Sequence, residues 1–550
     1  QRPLRASVLP QRPRGALTNR AAASGAVIAV DIGTTGTKAC LVDPTGLILG
    51  EGYSRYARAT YSGGGGVVEQ QPEDWLDAFG EACRQCLEGR DAGVGIAGVA
   101  LSGQMQDVVL MDGTEVIRPA ILYSDTRARH EAEQIEAAAG ALVARDASNY
   151  KGAASCLAKL LWLQRHEPGN LARSTSILLG AHDYMACILT GGESTATDLT
   201  TASTTGLLLP SGDGWATELM GAVGLTAATA ALPALPPSAE AVGRVEPAVA
   251  AELGLPELQG VLVFHGTGDL AATSMGVPGA AYAYVGTSGW IACTRDLEEG
   301  EVLGRSGVEG LFEVHHPVPG RGIFAASMTT AGGNVEWARS TLFDGARTAL
   351  SEFDAAAATA PPGSGGVLFL PHLAGERSPF TDPSARAGFV GVGATTSKGA
   401  MARAVLEGVA FGYRSMYEHM TRSGRLEGSD LSVLPIVGGG ANSSLWRQIF
   451  ADVLECEVAV MGSASHVAAR GCASLAMEGL GLWENGKPPA GFFGDARGGE
   501  AAQVGCSPNF FFLFFFLFFP TSEVQMLFRS FDPARERGCG CAGRDRGTLR

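Results

Sequence analysis

The amino-acid sequence predicts an α/β protein with two similar domains, each a mixed sheet flanked by helices. Short apolar strands alternate with amphipathic helical segments, which is the pattern of a mixed α/β sheet. The chain opens with three strands joined by tight turns, and a strand-turn-strand unit near residue 281 resembles this opening. Its 550 residues exceed the ~100–200 of a typical domain, so we expect one domain over 26–276 and a second over 277–490.

The individual elements follow from apolar runs and turn residues. The opening strands are predicted at 27–31, 37–42 and 47–54, because each is short, apolar and bounded by a glycine-containing turn. A helix is predicted at 73–88, where Trp75, Phe79 and Cys83 recur at helical spacing. Further segments are predicted as strands at 95–102, 261–264, 281–285, 290–294 and 431–437, and as helices at 131–144, 153–165, 270–275 and 444–454.

The composition excludes several classes of protein. With 41 Lys and Arg against 56 Asp and Glu, the net charge of −15 leaves no general basic surface for nucleic acid or anionic lipid. Eleven scattered cysteines do not form the dense, even framework of a small secreted protein, so a reducing compartment such as the cytoplasm is expected. Cys83 and Cys86 lie at helical spacing, which favours a buried helix face over a zinc site.

Both ends differ in composition from the rest of the chain. Residues 1–24 carry five Arg and no acid, which is typical of a plastid or mitochondrial transit peptide, although an untranslated or linker-derived stretch fits equally well. Residues 510–519 are eight Phe and two Leu, too short for the ~20 residues of a spanning helix. We therefore expect residues 491–550 to be a disordered or artefactual tail and not a membrane anchor.

Two glycine- and hydroxyl-rich turns are candidate phosphate sites. The first is the run from Asp31 to Lys38 (DIGTTGTK), in which backbone amides and threonine hydroxyls can surround an anion while Asp31 holds Mg²⁺. The second is the run 286–289 (GTSG), in the part of the chain that repeats the opening. A plain hairpin also favours Gly and Asp, but two such turns facing one cleft would hold a triphosphate from both sides. A P-loop is absent, and the GVGIAG run at 93–98 leads into a strand, not the helix of a dinucleotide site.

Two further segments carry candidate functional groups. Asp269 follows a strand and precedes a helix, where it is either an N-cap or a general base that accepts a hydroxyl proton during attack on phosphorus. Three glycines at 438–440 would let flat backbone lie against a ring, and Asn442 could pair with an adenine edge. A helix N-cap explains Asn442 but not the three glycines.

The ordered set of motifs resembles the FGGY carbohydrate kinases over about residues 26–485. The runs that carry the resemblance are 30–38 (VDIGTTGTK), 68–75 (VEQQPEDW), 102–105 (SGQM), 160–163 (LLWL), 197–198 (TD), 202–203 (AS) with Gly206, 268–269 (GD), 286–288 (GTS), 370–379 (LPHLAGERSP) and 438–443 (GGGANS). The resemblance implies two actin-like (ribonuclease H-like) domains around a central cleft. It further implies ATP and Mg²⁺ as cofactors and a small sugar, most closely D-xylulose, as the acceptor that is phosphorylated.

The resemblance also assigns roles to matched positions. Asp269 falls where the family keeps its catalytic base, which also contacts the sugar. The remaining residues are assigned by position: Asp31 to the metal and phosphates, Gly33, Thr34, Thr35 and Lys38 to the first phosphate turn, Gly286, Thr287 and Ser288 to the second, Gly439, Gly440 and Asn442 to adenosine, and Gln104, Met105 and Gln106 to the sugar pocket.

Two positions depart from the pattern expected of this family. Gln106 stands where a His is usual, and Leu270 where an Asn commonly follows the catalytic Asp. A kinase for ribulose, sedoheptulose or a polyol therefore remains an alternative, as does a non-catalytic sugar or nucleotide sensor. The sequence leaves open whether the chain forms a homodimer.

Overall fold

The computed structural model describes residues 25–493, apart from 59, 92, 278–280, 306, 344–348, 383, 427–432, 462–465, 484–487 and 490–491. The predicted leader at 1–24 and the Phe-rich run at 510–519 lie outside these residues. Within the described part of the chain, none of the helices combines the length and apolar character needed to cross a bilayer.

The first half of the chain contains twelve strands and nine helices within the described residues. In order they are β1 (Ala26–Ile32), β2 (Gly36–Val42), β3 (Ile48–Arg55), β4 (Tyr61–Ser62), β5 (Val68–Gln70), α1 (Pro72–Leu87), β6 (Ile96–Gly103), β7 (Met105–Asp112), β8 (Glu115–Val116), β9 (Ala120–Ile121), α2 (Arg129–Asp146), α3 (Cys156–His166), α4 (Pro168–Arg173), β10 (Ser176–Gly180), α5 (Ala181–Leu189), α6 (Leu199–Ser203), α7 (Thr217–Ala222), β11 (Ala241–Arg244), α8 (Pro247–Glu252), β12 (Leu262–Gly268) and α9 (Asp269–Gly276).

The second half begins with another antiparallel hairpin. Its described elements are β13 (Ala281–Val285), β14 (Gly289–Asp296), β15 (Leu311–His315), β16 (Arg321–Met328), α10 (Gly332–Leu342), α11 (Leu350–Ala358), β17 (Leu368–Leu370), β18 (Gly388–Val390), α12 (Lys398–Arg422), β19 (Val433–Val437), α13 (Ser444–Leu454), β20 (Glu457–Val460) and α14 (Val467–Gly479).

Five strands have the same order in the two main sheets, which explains the repeat seen in the sequence. The first runs β3-β2-β1-β6-β12-β11, and the second runs β15-β16-β14-β13-β19-β20. In each sheet three antiparallel strands, β3-β2-β1 and β16-β14-β13, are followed by two strands that pair in parallel, β6 and β12 in the first and β19 and β20 in the second. The sixth strand differs, because β11 lies beyond β12 in the first sheet and β15 lies beyond β16 in the second. The predicted fold class, two actin-like mixed α/β units, is confirmed.

The predicted strands and helices are confirmed, with ends that differ slightly. The helix predicted at 153–165 begins only at Cys156, because a 3₁₀ turn occupies Gly152–Ala154. Cys83 and Cys86 both lie buried on α1, as the helical spacing predicted. Residues 431–432 of the predicted strand 431–437 lie outside the described residues, and β19 accounts for the rest.

The first half contains a second sheet, and the chain passes into it from the first main sheet at Gln104. This sheet runs β10-β7-β9-β5-β4 and packs against α2 and α3. The chain leaves the first main sheet at the end of β6 and enters this second sheet at the start of β7. Gln104 is the single residue between the two strands, so the sugar-pocket residues predicted from sequence lie at a junction of two sheets.

The last described helix, α14, packs on the first main sheet although it follows β20 in the chain. Its small residues contact α9 so closely that a Cβ on Gly471 would lie 1.9 Å from the carbonyl oxygen of Ala272. Likewise, a Cβ on Gly276 would lie 2.1 Å from the carbonyl oxygen of Val467. The helix joins the core formed by Val27, Ala100 and Phe264, so the chain crosses back to the first half after building the second sheet.

Candidate active site in the cleft between the two sheets

A cavity of about 260 Å³ is lined by residues from both halves of the chain. The residues predicted from sequence that line it are Asp31, Gly33, Thr34, Thr35, Lys38, Gln104, Met105, Gln106, Asp269, Thr287 and Ser288. Gly286, Gly439, Gly440 and Asn442 do not line it, but Gly438 does. The structure therefore brings both candidate phosphate turns, the sugar-pocket segment and the candidate base to one place.

The first phosphate turn is the tip of the β1–β2 hairpin. Asp31 and Lys38 are directly paired across the two strands, and the amide of Gly33 donates to the carbonyl of Gly36 at 3.1 Å. The Tyr56 hydroxyl donates to the Gly33 carbonyl at 2.5 Å, which holds the turn from outside. The side chains of Asp31 and Lys38 are thereby directed to the same cavity as the turn amides.

Asp31 has the properties of a carboxylate that binds a cation. Burial raises its pKa, while the charge of Lys38 opposes that shift. Its Oδ1 atom is buried and makes no hydrogen bond of normal geometry within the described residues, although Ser102 is its partner on the neighbouring strand. A buried carboxylate oxygen without a donor suits a hard cation or its water ligands.

The second phosphate turn is the tip of the β13–β14 hairpin, and the start of α10 holds it. The amides of Ala331 and Gly333 donate to the Thr287 carbonyl at 2.8 and 3.0 Å, and the Gly332 amide donates to that of Gly286 at 2.7 Å. Gly286 therefore supports the turn from behind, while Thr287 and Ser288 face the cavity. Tyr284 and Trp290, whose rings stack at 3.9 Å, also line the cavity beside this turn.

Asp269 lies at the start of α9, in the wall between the two turns. Gly268, not Asp269, is the N-cap residue of this helix, so the simple capping interpretation does not account for the acid. Its Oδ1 accepts a hydrogen bond from the Leu270 amide at 2.8 Å. Burial, followed by the negative charge of Asp31, raises the pKa of Asp269 to about 7. A carboxyl group with this pKa can both lose and accept a proton near neutrality.

The residues at the β6–β7 junction form another part of the wall. Gln104 donates from Nε2 to Oε1 of Gln70 at 3.1 Å, and its own buried Oε1 has no partner within the described residues. Gln106 adopts a left-handed backbone conformation with φ 64° and donates from Nε2 to the Thr204 carbonyl. A non-glycine residue held at positive φ is uncommon and typical of functional sites.

Gly438 and Gly440 have a packing role that sequence alone did not reveal. A Cβ on Gly438, whose φ is 92°, would lie 2.7 Å from the Val285 carbonyl oxygen. A Cβ on Gly440 would lie 2.4 Å from Cγ1 of Val285, whereas Gly439 has nothing within 4 Å. These glycines let the segment after β19 lie against the second phosphate turn. Ser443, not Asn442, caps α13, so capping does not explain Asn442.

A buried network of acids and imidazoles lies behind Asp269, and sequence analysis assigned it no role. Asp183 accepts from His265 at 2.8 Å, and Asp198 accepts from His182 at 3.0 Å. Burial alone would lower the pKa of His182, but the charges of Asp183 and Asp198 raise it. The charge of His182 in turn acts on Asp269 and opposes the rise of its pKa. The run 197–198 carried part of the resemblance, but no function was assigned to Asp198 from the sequence.

Sequence analysis also missed three residues that the second half contributes to the cavity. Phe312, Ser327 and Arg377 line the same cavity as Gln106 and Asp269. Arg377 belongs to the run 370–379 that carried part of the resemblance, but nothing in its sequence context placed it near the β6–β7 junction. Tyr123 and Thr204 from the first half line the cavity as well.

Two sheets that share the order of five strands, with two hydroxyl-lined turns on one cavity, are the arrangement of an actin-like phosphotransferase. The N-terminal domain model of the FGGY family of carbohydrate kinases matches residues 26–276, and the C-terminal domain model of that family matches residues 281–479. This chain belongs to the FGGY family of carbohydrate kinases. It is therefore a sugar kinase that uses ATP.

Individual relatives agree with this family. The chain is 30% identical over 468 residues to a xylulose kinase of Staphylococcus epidermidis, covering 83% of this chain and 88% of that protein. Its fold is similar to the ligand-bound xylulose kinase of Lactobacillus acidophilus, with TM-score 0.75, 23% identity, and coverage of 92% of this chain and 99% of that chain. A gluconate kinase from Lactobacillus acidophilus is equally similar in fold, with TM-score 0.75, 23% identity and the same coverage of 92% and 99%.

Proposed function

We propose that this protein transfers the γ-phosphoryl group of ATP to a primary hydroxyl of D-xylulose and forms D-xylulose 5-phosphate and ADP. The observation that carries the proposal is the convergence of two hydroxyl-lined turns and Asp269 on one cavity. The similarity to proteins named xylulose kinase, 30% identical over most of their length, supports the choice of sugar.

Asp269 is the proposed catalytic base. As the sugar oxygen forms its bond to the γ-phosphorus, the bond from that phosphorus to the bridging oxygen of ADP breaks, and the hydroxyl proton passes to the Asp269 carboxylate. Its pKa of about 7 makes the carboxylate a stronger base than an ordinary Asp, and the ionised form is still populated near neutral pH. Its Oδ1 is held by the Leu270 amide, which fixes the orientation of the group.

The two turns are the proposed phosphate sites. The Gly33, Thr34 and Thr35 segment and Lys38 would meet the phosphates from one side, and Thr287 and Ser288 from the other. Amide and hydroxyl donors held in place before the reaction stabilise the negative charge that spreads over the phosphoryl oxygens. The segment of Gly439, Gly440 and Asn442 follows the cavity-lining Gly438 in the chain, and it is the proposed adenosine site.

Asp31 is the proposed Mg²⁺ residue. Its buried Oδ1 without a normal hydrogen-bond donor, and a pKa that burial raises, fit a carboxylate whose partner is a cation. When bound, Mg²⁺ neutralises phosphate charge and orients the terminal phosphoryl group. Asp31 and Lys38, which are paired across the hairpin, then place a negative and a positive charge at the same turn.

Gln104, Met105 and Gln106 are the proposed sugar-pocket residues. The buried Oε1 of Gln104 without a partner offers an acceptor for a sugar hydroxyl, and Gln106 is anchored through Thr204. The Cβ position of Gly268 lies 2.0 Å from Sδ of Met105, so only glycine before Asp269 allows Met105 to occupy this place. The base and the sugar-pocket segment are thereby packed directly together.

A coupled assay of ADP release tests the proposal. We expect Mg·ATP-dependent turnover with D-xylulose that exceeds turnover with ribulose, sedoheptulose, gluconate, xylitol and glycerol. Comparable ADP release without any sugar would show an ATPase, and turnover restricted to another acceptor would replace D-xylulose while leaving the kinase class unchanged. The Asp269→Asn variant serves as the blank, because it removes the proposed base and keeps the side-chain volume.

A second candidate function is the phosphorylation of another acceptor used by the same family, and two residues of the cavity favour it. Gln106 and Leu270 occupy positions where His and Asn are expected, and both line the cavity. A change of one buried hydrogen-bonding partner alters discrimination by about 1–3 kcal/mol. A Gln106→His variant that gains D-xylulose turnover at the expense of another acceptor would favour this candidate, while a loss of D-xylulose turnover would favour the first.

A further inference from the structure

Arg377, in the run 370–379, lines the cavity but has no role in the proposed reaction. This segment follows β17 and is fastened to the end of β16 on both sides of Arg377. The Glu376 carboxylate accepts from the amides of Arg377 and Thr329 at 2.9 and 3.3 Å. The Ser378 hydroxyl accepts from the Ser327 amide at 2.9 Å and donates to the carbonyl of Gly310. The backbone of Arg377 is therefore held in place, and its side chain is delivered to a defined position.

The Arg377 guanidinium is a charged donor group without a protein acceptor. It lines the cavity, and its Cζ lies 5.4 Å from the centroid of the Tyr123 ring. Within the described residues its side chain forms neither a hydrogen bond nor an ion pair. The adjacent carboxylate of Glu376 is already used by His372 at 2.9 Å. By contrast, Arg425 in the same half pairs with Glu313 at 2.8 Å.

An unpaired guanidinium in this position has a physical cost. Arg carries five N–H donors in a planar fork and stays protonated at any ordinary pH. Burial lowers the pKa of Arg377, which reflects poor solvation of its charge in the cleft. Oxygen atoms of a ligand in the cavity would supply the missing acceptors and remove this cost.

The contacts of Tyr123 place Arg377 beside the β6–β7 junction. The Tyr123 amide donates to Oδ1 of Asp107, which follows Gln106 in the chain, at 3.0 Å. The Tyr123 hydroxyl lies 3.4 Å from Oγ1 of Thr34 in the first phosphate turn. The ring over which the Arg377 guanidinium lies therefore extends from the sugar-pocket segment to that turn.

We infer that Arg377 binds the acceptor sugar, and that it sets acceptor specificity from the C-terminal half of the chain. If the proposed function is right, the bound atoms are two neighbouring oxygens of the ketose. Two neighbouring oxygens match the two parallel N–H donors of a guanidinium. The inference rests on the proposed function for the identity of the sugar, but not for the role of Arg377.

The test compares the Michaelis constants of Arg377→Gln and Arg377→Lys with those of the wild-type protein. The acceptor is whichever member of the panel the wild-type protein phosphorylates best. We expect the KM for the acceptor to rise about 10- to 100-fold in Arg377→Gln, because a charge-assisted hydrogen-bond pair is lost. The KM for ATP should change less than about twofold, and kcat should fall far less than the acceptor kcat/KM. Arg377→Lys should give an intermediate KM, since it keeps the charge and loses the fork.

Arg173→Gln is the matched control, because the Arg173 side chain is 52% exposed and its guanidinium lies 3.8 Å from the carboxylate of Asp112. It should leave both Michaelis constants unchanged. If a thermal melt shows that Arg377→Gln is not folded, the Michaelis constants of Arg377→Lys are used for the test. An unchanged acceptor KM in both variants, or a rise in the KM for ATP in place of the acceptor KM, would overturn the inference. Turnover of another acceptor in place of D-xylulose would refute only the proposed sugar, since the Arg377 comparison is then made with that acceptor.

Discussion

The carboxylates of Asp31, on β1, and Asp269, at the start of α9, line the same cavity and repel each other. Burial contributes most to the raised pKa of Asp269, and the charge of Asp31 adds to it. Two acids that oppose each other's ionisation in a poorly solvated cleft are a cost to the fold. Functional sites commonly hold such groups, because the same electrostatic arrangement produces a base near neutrality and a binding site for a cation.

The first prediction concerns the pH dependence of turnover. Because the pKa of Asp269 is raised to about 7, we expect the acceptor kcat/KM to increase with pH up to about 7 and then to level off. Below this pH the base is protonated and cannot take the hydroxyl proton. Initial rates of ADP release between pH 5.5 and 8.5 measure the profile. A flat profile across this range would exclude the titration of Asp269 from the rate-determining step.

The second prediction separates the chemistry of Asp269 from its effect on stability. Asp269→Asn should lower kcat by about 10²–10⁴-fold while the Kd for ATP changes little, because the base is absent and the turns are intact. The folded-state pKa lies above the ordinary Asp value, so the wild-type protein loses stability as the pH rises from about 4 to about 7. The Asn variant should therefore melt higher than the wild-type protein at pH 8, by a free energy of about 1–3 kcal/mol, and about equally at pH 4.

The control for this comparison is Asp77→Asn on α1, whose side chain is exposed. It should change neither kcat nor the dependence of the melting temperature on pH. If Asp269→Asn kept near-normal kcat, Asp269 would not be the base. If it melted lower than the wild-type protein at pH 8, the carboxylate would be a stabilising group and the electrostatic cost described above would be wrong.

Sequence predicted the parts of the site that local patterns determine. The Gly and Thr residues between two short apolar runs identified both hairpin turns, and Asp31 and Asp269 each end an apolar strand. Arg377 and the buried pair of His182 and His265 could not be found in this way. Their positions depend on how separate elements pack together, and an isolated Arg or His has no periodic pattern that indicates its partners. For the same reason, sequence did not reveal that α14 returns to the first sheet.

The third prediction concerns Asp198, which connects three elements behind the base. Its Oδ1 accepts from the Thr267 hydroxyl at 2.7 Å and from the amides of Thr200 and Thr201 at 2.9 and 3.1 Å, and its Oδ2 accepts from His182. Although burial acts to raise it, the hydrogen bond and charge of His182 hold the pKa of Asp198 well below its usual range. We expect Asp198→Asn to reduce stability by about 3–5 kcal/mol at pH 7, since a buried charge pair is broken.

Because the folded-state pKa of Asp198 is depressed, its contribution to stability is present above the ordinary Asp pKa and is lost as the pH falls through the folded-state value. The difference in melting temperature between wild type and Asp198→Asn should therefore shrink below about pH 4. Melting curves of both proteins from pH 3 to 8 would measure this. Asp213→Asn, on an exposed turn residue, is the control and should melt like the wild type. A difference that grew on acidification would contradict the assigned charge state.

The fourth prediction tests the contact of α14 with α9, the helix that begins at Asp269. A methyl group on Gly471 would lie 1.9 Å from the Ala272 carbonyl oxygen and 2.8 Å from the Gly276 amide nitrogen, and neither backbone atom can move without moving α9. Gly471→Ala should thus cost about 1–3 kcal/mol in urea unfolding. It should also lower kcat, because a small displacement of α9 changes the position of the base.

Gly169→Ala on α4 separates this steric effect from the ordinary effect of alanine in a helix. Nothing lies within 4 Å of a Cβ built on Gly169, and alanine favours a helix over glycine by up to ~1 kcal/mol. This variant should be as stable as the wild type or more so, with unchanged kcat. Equal behaviour of the two variants would mean that α14 and α9 can separate freely. In that case the placement of Asp269 would not depend on the helix that crosses back from the second half of the chain.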